Sequence, residues 1–193
     1  GLSIVKNSFV VKNVPAQKVG FFNKDQQGST ILEDSFGHIW LSAGRSGLVR
    51  YNPGDQSTSF YIDQPNSEED LSGSIVMSLL EDNKKRLWIA TLRGGVSVLD
   101  IKTNKFIPLK GGNKLSGANA FELDQQGNIW IGHRTGVTVL DPEFNIIHRL
   151  LPNEHRMSLS NLVTAIFKDV KNDMWVGTTN GLFRYQKQGD SYQ

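Results

Sequence analysis

The chain has 193 residues, 38% of them apolar and 21% charged, with a formal net charge of +2 and no cysteine. That composition fits an ordinary globular protein and excludes a disordered tail, a disulfide scaffold, Cys-ligated zinc and thiol catalysis. The small charge gives no argument for nucleic acid. No window approaches the roughly 18 apolar residues that a membrane helix needs.

In chain order, residues 1–5 and 8–11 read as two strands, and residues 13–28 as a connecting segment; the opening GLSIVK does not read as a signal peptide. Four like-built units follow. The first strand of each is apolar and rich in Ile, Val, Leu and Phe: residues 30–33, 75–80, 120–123 and 163–167. A turn headed by Asp34, Asp82, Asp124 or Asp169 comes next. Aspartate suits that place because its carboxylate accepts N–H bonds from the backbone two residues on. Gly37 and Gly127 supply the positive φ that closes such a turn, and Asn172 is the next best residue for it. Lys85 departs from this pattern, so a differently shaped second turn is expected.

The second strand, 38–42, 86–90, 128–132 or 173–177, carries Trp40, Trp88, Trp130 or Trp175, always six residues after the aspartate. Ser42, Ala90, Gly132 and Gly177 lie two residues further on, and small side chains there are expected to let a neighbouring sheet approach. Gly47, Gly95, Gly136 and Gly181 open the third strands, 48–51, 96–99, 137–140 and 182–185. Short turns lead to a weaker fourth strand, such as 59–62 or 145–148. Helical periodicity is nearly absent.

The tryptophans stand 48, 42 and 45 residues apart. One supersecondary unit of that length, built from four antiparallel strands and repeated, is the mark of a propeller blade. The fold class is therefore all-β: four full repeats of four-stranded blades after a partial N-terminal one. Residues 1–12 form outer strands of a preceding blade, and 13–28 the connecting segment. The blades run 29–73, 74–117, 118–160 and 161–193, the last with an incomplete fourth strand. The whole reads as a fragment of a larger, seven-bladed propeller that closes on itself or associates with a second copy. Each Trp is read as packing against the next blade, in preference to stacking on a sugar.

The phrase D-x-x-G-x-[IL]-W-[IV]-G-T-x-x-G-L-x-x-Y resembles the two-component regulator propeller repeat. It is fullest over residues 172–185 and clear over 126–137; the first two units depart at the Gly-Thr pair, with Ser42-Ala43 and Ala90-Thr91. The resemblance implies the periplasmic sensor region of a Bacteroidetes hybrid two-component system, in which propellers precede a membrane helix, a histidine kinase and a DNA-binding module. It implies a response to oligosaccharides and control of polysaccharide-utilisation genes. No kinase, receiver or DNA-binding segment occurs in this chain, so this segment is expected to be non-catalytic, with no cofactor, nucleic acid or membrane contact of its own.

In such a blade the loop from the second to the third strand emerges beside the link between blades, where ligands commonly bind. Those loops carry Arg45, Arg93, His133 with Arg134, and Asn180. Guanidinium groups there offer bidentate contacts to the carboxylate or sulfate of an acidic glycan. The competing reading has each arginine tying down its own loop. The four repeat aspartates occupy equivalent places in separate blades and so do not form a catalytic carboxylate pair. The acidic run 67–70 reads as solvated surface and not as a calcium site, and the histidines share no metal-ligand spacing. Two further functions compete: a streptogramin-lyase-like propeller enzyme, for which only His133 is well placed, and a protein-interaction scaffold.

Overall fold

A computed structural model describes residues 2–6, 9–14, 30–63, 71–109, 115–150, 162–189 and 191–192. The acidic run 67–70, His155 and nearly all of the connecting segment lie outside the described residues. An antiparallel hairpin comes first, β1 (Leu2–Lys6) with β2 (Phe9–Val14). Three four-stranded meanders follow. The first is β3 (Ile31–Glu33), β4 (Ile39–Ser42), β5 (Leu48–Tyr51) and β6 (Thr58–Tyr61). The second is β7 (Val76–Glu81), β8 (Arg86–Thr91), β9 (Gly95–Asp100) and β10 (Lys105–Ile107). The third is β11 (Ala120–Leu123), β12 (Ile129–His133), β13 (Gly136–Leu140) and β14 (Ile146–Leu150). A fourth sheet has three strands, β15 (Val163–Lys168), β16 (Met174–Thr178) and β17 (Gly181–Tyr185). A small hairpin of β18 (Lys187–Gln188) and β19 (Ser191–Tyr192) stands after it.

The first strands β3, β7, β11 and β15 lie beside one another in succession, so the sheets fan out from a common line with the apolar first strands innermost. This is the blade arrangement that the repeat predicts. In each sheet the tryptophan sits on the second strand, and in the first three sheets it faces the next one. Trp40 packs with Leu79, Leu87, Ile89 and Leu99 of the second sheet. Trp88 packs with Phe121, Ile129 and Ile131 of the third, and Trp130 with Val163, Ile166, Met174 and Val176 of the fourth. These three indoles are completely buried.

Of the small residues two places beyond the tryptophans, Gly132 has the expected purpose. A Cβ on Gly132 would run into Val163 and stand 3.2 Å from Ile166 Cδ1, both on the first strand of the next sheet. The second turn corrects the expectation drawn from Lys85. Its backbone N–H donates to the Asp82 carbonyl at 3.0 Å, as those of Gly37, Gly127 and Asn172 do to Asp34, Asp124 and Asp169. Lys85 adopts φ +63°, beside +82° for Gly37 and Gly127. The turn keeps its shape, and the lysine carries the strain of the left-handed region.

Polar ties between neighbouring sheets gather at the edge where these Asp-headed turns lie. Ser35 donates its N–H and Oγ to the Glu81 carboxylate at 2.7 and 2.6 Å. Arg50 reaches Asn104 at 3.2 Å, and the Tyr61 hydroxyl donates to the same Asn104 oxygen. Arg86 and Lys84 both reach the Pro142 carbonyl, and Lys84 pairs with Glu143 at 2.6 Å. Lys187 reaches Gln125, and the Lys168 N–H reaches Glu122. At the opposite edge, the side-chain ties among the described residues include one long bond between sheets, from Asn119 Nδ2 to the Val163 carbonyl at 3.5 Å.

Candidate functional site

The repeat aspartates do more than shape their turns. In each unit one carboxylate oxygen accepts two backbone N–H bonds, from the residues two and four places on, at 2.8–3.0 Å. The other oxygen accepts the indole N–H of that unit's tryptophan. The distances are 2.7 Å for Asp34–Trp40, 2.8 Å for Asp82–Trp88, 3.3 Å for Asp124–Trp130 and 2.9 Å for Asp169–Trp175. In the first three units a further side chain joins that second oxygen: His38, Arg86 or Asn128. The fourth unit places Asp173 at this position, and Arg184 pairs with it instead. In the first three units both carboxylate oxygens accept two bonds each, which fits a structural role; Asp169 accepts three in all. The indole bond was legible only as an unvarying six-residue spacing, since the turn alone accounts for the aspartate.

Burial alone would push the Asp34 carboxyl up, but the bonds from Trp40, His38 and Phe36 outweigh it and hold the group below the ordinary carboxylate range. At Asp169 the Trp175 indole is the leading cause of a similar depression. Guanidinium groups cover three of the rings: Arg50 over Trp40, Arg86 over Trp88 and Arg184 over Trp175, at 5.3–5.8 Å from the centroids. Tryptophans held in this way are structural, and three of them are inaccessible to a sugar.

The loops on the opposite edge hold the other predicted residues. Gly44–Ser46 forms a single 3-10 turn between β4 and β5 that carries Arg45 outward. Arg93 lies exposed in the turn between β8 and β9. Both line one cavity of about 420 Å³ between the first two sheets. The rest of its wall includes Asp63, Ser72, Ser74, Leu92 and backbone at Gly73 and Gly94. Gly94 has no room for a side chain, since a Cβ there would meet the Ser72 carbonyl. The Ser72 N–H donates to Ser97 Oγ at 2.9 Å, which anchors the link between the sheets to the second sheet's third strand. Asp63, Ser72 and Ser74 had no sequence signal, because they lie in the irregular link between units.

Arg134 and Asn180 do not line this cavity. The Arg134 stem lies over Gly117, where a Cβ would stand 2.7 Å from its Cγ. Asn180 is exposed in the last such loop, its N–H donating to Thr178 Oγ1 at 3.1 Å. His133 points inward and is buried. Its Nδ1 accepts from the Thr135 N–H at 3.3 Å, so Nε2 carries the proton and donates to Thr138 Oγ1 at 3.0 Å. Burial, with the Arg149 charge nearby, holds the imidazole below its usual pKa and therefore neutral. A lyase needs a base presented to the loop face, and His133 is not presented there.

Two stretches of the chain, residues 70–93 and 158–180, match the two-component regulator propeller family. Over 183 residues the chain is 29% identical to histidine kinase P4 of Formosa agariphila, a match covering 91% of this chain and 13% of that protein. In three dimensions it is similar to the extracellular domain of a hybrid two-component system from B. thetaiotaomicron, with 25% identity and a TM-score of 0.66, over 86% of this chain and 23% of that one. A second hybrid-system extracellular domain from the same organism gives 20% identity and a TM-score of 0.72, over 91% and 23%. At that identity the likeness speaks to the fold. The chain thus spans well under a third of each of these proteins.

Proposed function

We propose, from the premise that this chain is built of two-component regulator propeller repeats, that it is a sensory segment of a two-component receptor with no chemistry of its own. It faces the periplasm, receives an oligosaccharide on its loop edge and works through a histidine kinase that controls polysaccharide-utilisation genes. Similarity to a histidine kinase and to the extracellular domain of a hybrid system supports the sensory part of this reading.

One observation carries the site. Arg45 and Arg93, from different sheets, line a single cavity and make no hydrogen bond or ion pair among the described residues. An arginine that tied down its loop would spend its five donors on nearby carbonyls; among the described residues neither of these two does so. Two guanidinium groups in one cavity suit a carboxylate or sulfate on a sugar ring, with Ser74 on the same wall to meet a ring hydroxyl. Asp63 on the same wall opposes a ligand anionic at every position and favours one with free hydroxyls there.

Calorimetry with uronate-bearing, sulfated and neutral oligosaccharides tests the reading. The double variant R45Q/R93Q is expected to weaken acidic oligosaccharide binding by about tenfold or more, roughly the 1.4 kcal/mol of one charge-assisted contact, with the melting temperature unchanged. A parallel loss of melting temperature would mark both arginines as structural. Turnover of a cyclic peptide lactone with magnesium would replace the sensor by the lyase.

A further inference from the structure

The cavity between the first two sheets presents fewer polar groups to a ligand than its lining suggests. Ser72 is engaged within the protein: its N–H donates to Ser97 Oγ at 2.9 Å, and its Oγ accepts from Ser97 Oγ at 3.1 Å. Thr91 Oγ1 lies 3.2 Å from the same Ser72 Oγ. Thr91 is fully buried and donates to the Gly95 carbonyl at 3.2 Å. This chain of hydroxyls, with Gly94 pressed against the Ser72 carbonyl, fixes the link between the sheets to β8 and β9. That wall is therefore formed before a ligand arrives, and a rigid wall discriminates between ligands at low cost in ordering.

Two cations, one anion and one hydroxyl remain: Arg45, Arg93, Asp63 and Ser74. Asp63 is exposed, and among the described residues it forms no ion pair with either arginine. A carboxylate accepts hydrogen bonds and donates none, so Asp63 takes a ligand hydroxyl or amide N–H and repels a second anionic group. Two positive charges and one negative leave the lining at +1, which one negative charge on the ligand balances. The volume of about 420 Å³ stands near the lower end of the roughly 300–1,000 Å³ of small-molecule sites, which suits a disaccharide. Ile75 and Leu92 give the C–H face of one ring an apolar surface.

Resting on the sensory reading above, we infer that Asp63 makes this cavity selective for a disaccharide with a single negative charge. The uronate lies on Arg45 and Arg93, and the neighbouring ring turns an uncharged hydroxyl or acetamide to Asp63. A neutral disaccharide leaves both guanidinium groups without an anionic acceptor. A sulfate on the second ring sets two anions against each other. Affinity is therefore highest at one charge and lower on either side of it, with Asp63 as the repulsive element that specificity requires.

Calorimetry with three disaccharides of one backbone tests this: a uronate linked to an N-acetylhexosamine, the same molecule sulfated on the hexosamine, and its counterpart with the uronate reduced to a neutral sugar. The unsulfated acid is expected to bind about tenfold or more tightly than either of the others. D63N keeps the shape of the side chain and removes its charge. It should raise the affinity of the sulfated acid by about tenfold, so that the two acids bind alike or the sulfated one leads. If the wild-type protein takes the sulfated acid as tightly as the unsulfated one, or more so, the inference is overturned and the sensory reading stands. A preference for the unsulfated acid that survives in D63N has the same meaning. If neither acid binds better than the neutral disaccharide, the arginine site itself fails, and the inference falls with it.

Discussion

The aspartate at the head of each turn shows how much one side chain can settle. It closes the turn with one oxygen and fixes the indole with the other, so the loop and the blade face are set by the same group. Removing it leaves a buried indole N–H without an acceptor and frees the turn. At Asp82 it also strands Arg86, which is buried and pairs with it at 2.6 Å. Asp82→Ala is therefore expected to cost about 3–5 kcal/mol, the range for breaking a buried charge pair, in chemical denaturation. Asp169→Ala should cost clearly less, because Trp175 is partly solvated and water replaces the lost acceptor. A second residue-scale prediction concerns Lys85, held at φ +63°. Lys85→Gly removes the left-handed penalty and should raise stability by about 1 kcal/mol, read as a higher denaturation midpoint. The sequence could not have disclosed this turn's shape. A departure from glycine reads as a change of turn, whereas here the fixed spacing between Asp82 and Trp88 and the hydrogen bonds around them impose the same backbone on an ill-suited residue.

At the level of strands and sheets, most of the architecture could be read from the chain. Apolar strands, glycines at the third-strand starts and the tryptophan interval located the first three strands of every unit to within a residue or two. In the third unit they also located the face: Gly132, two places beyond Trp130, is where the next sheet presses closest. That reading gives a paired test. Gly132→Ala should destabilise by about 1–3 kcal/mol, since its Cβ would collide with Val163 across the joint. Gly177→Ala meets only ordinary contacts and should be neutral or slightly stabilising. The small hairpin β18–β19 was not legible, because two-residue strands carry no period. It matters nonetheless: the Tyr192 ring sits 4.7 Å from that of Trp130 at 80°, closing the outer side of that cluster. The candidate site was legible in half. Arginine recurrence pointed to Arg45 and Arg93, but the same recurrence included Arg134, which lies elsewhere. Sequence position cannot tell a loop that leans toward its neighbour from one that does not.

Across the whole molecule, six aspartates respond to pH in one direction. Asp34, Asp55, Asp100, Asp141, Asp169 and Asp173 are all held below the usual value, and they are spread through all four units. A group depressed in the folded state stabilises it at any pH above its unfolded value, near 3.9, and that contribution disappears as pH falls through the folded value. The melting temperature should therefore decline modestly as pH falls below about 6.5, where His133 is protonated in the unfolded chain but held neutral in the fold, and then fall steeply toward pH 3 as the carboxylates protonate. A profile level down to pH 5 would mean that His133 does not resist protonation in the fold.

The crowding of polar ties along the turn edge has a mechanical sequel. Adjacent sheets are bound like the leaves of a book, with Glu81, Asn104, Pro142 and Glu143 as stitches in the spine. At the fore-edge, where Arg45 and Arg93 stand, fewer side-chain bonds join neighbouring sheets among the described residues, and apolar contact tolerates a small change of angle far better than a directed hydrogen bond does. A molecule lodged between the first two leaves can therefore widen the gap there without tearing a stitch.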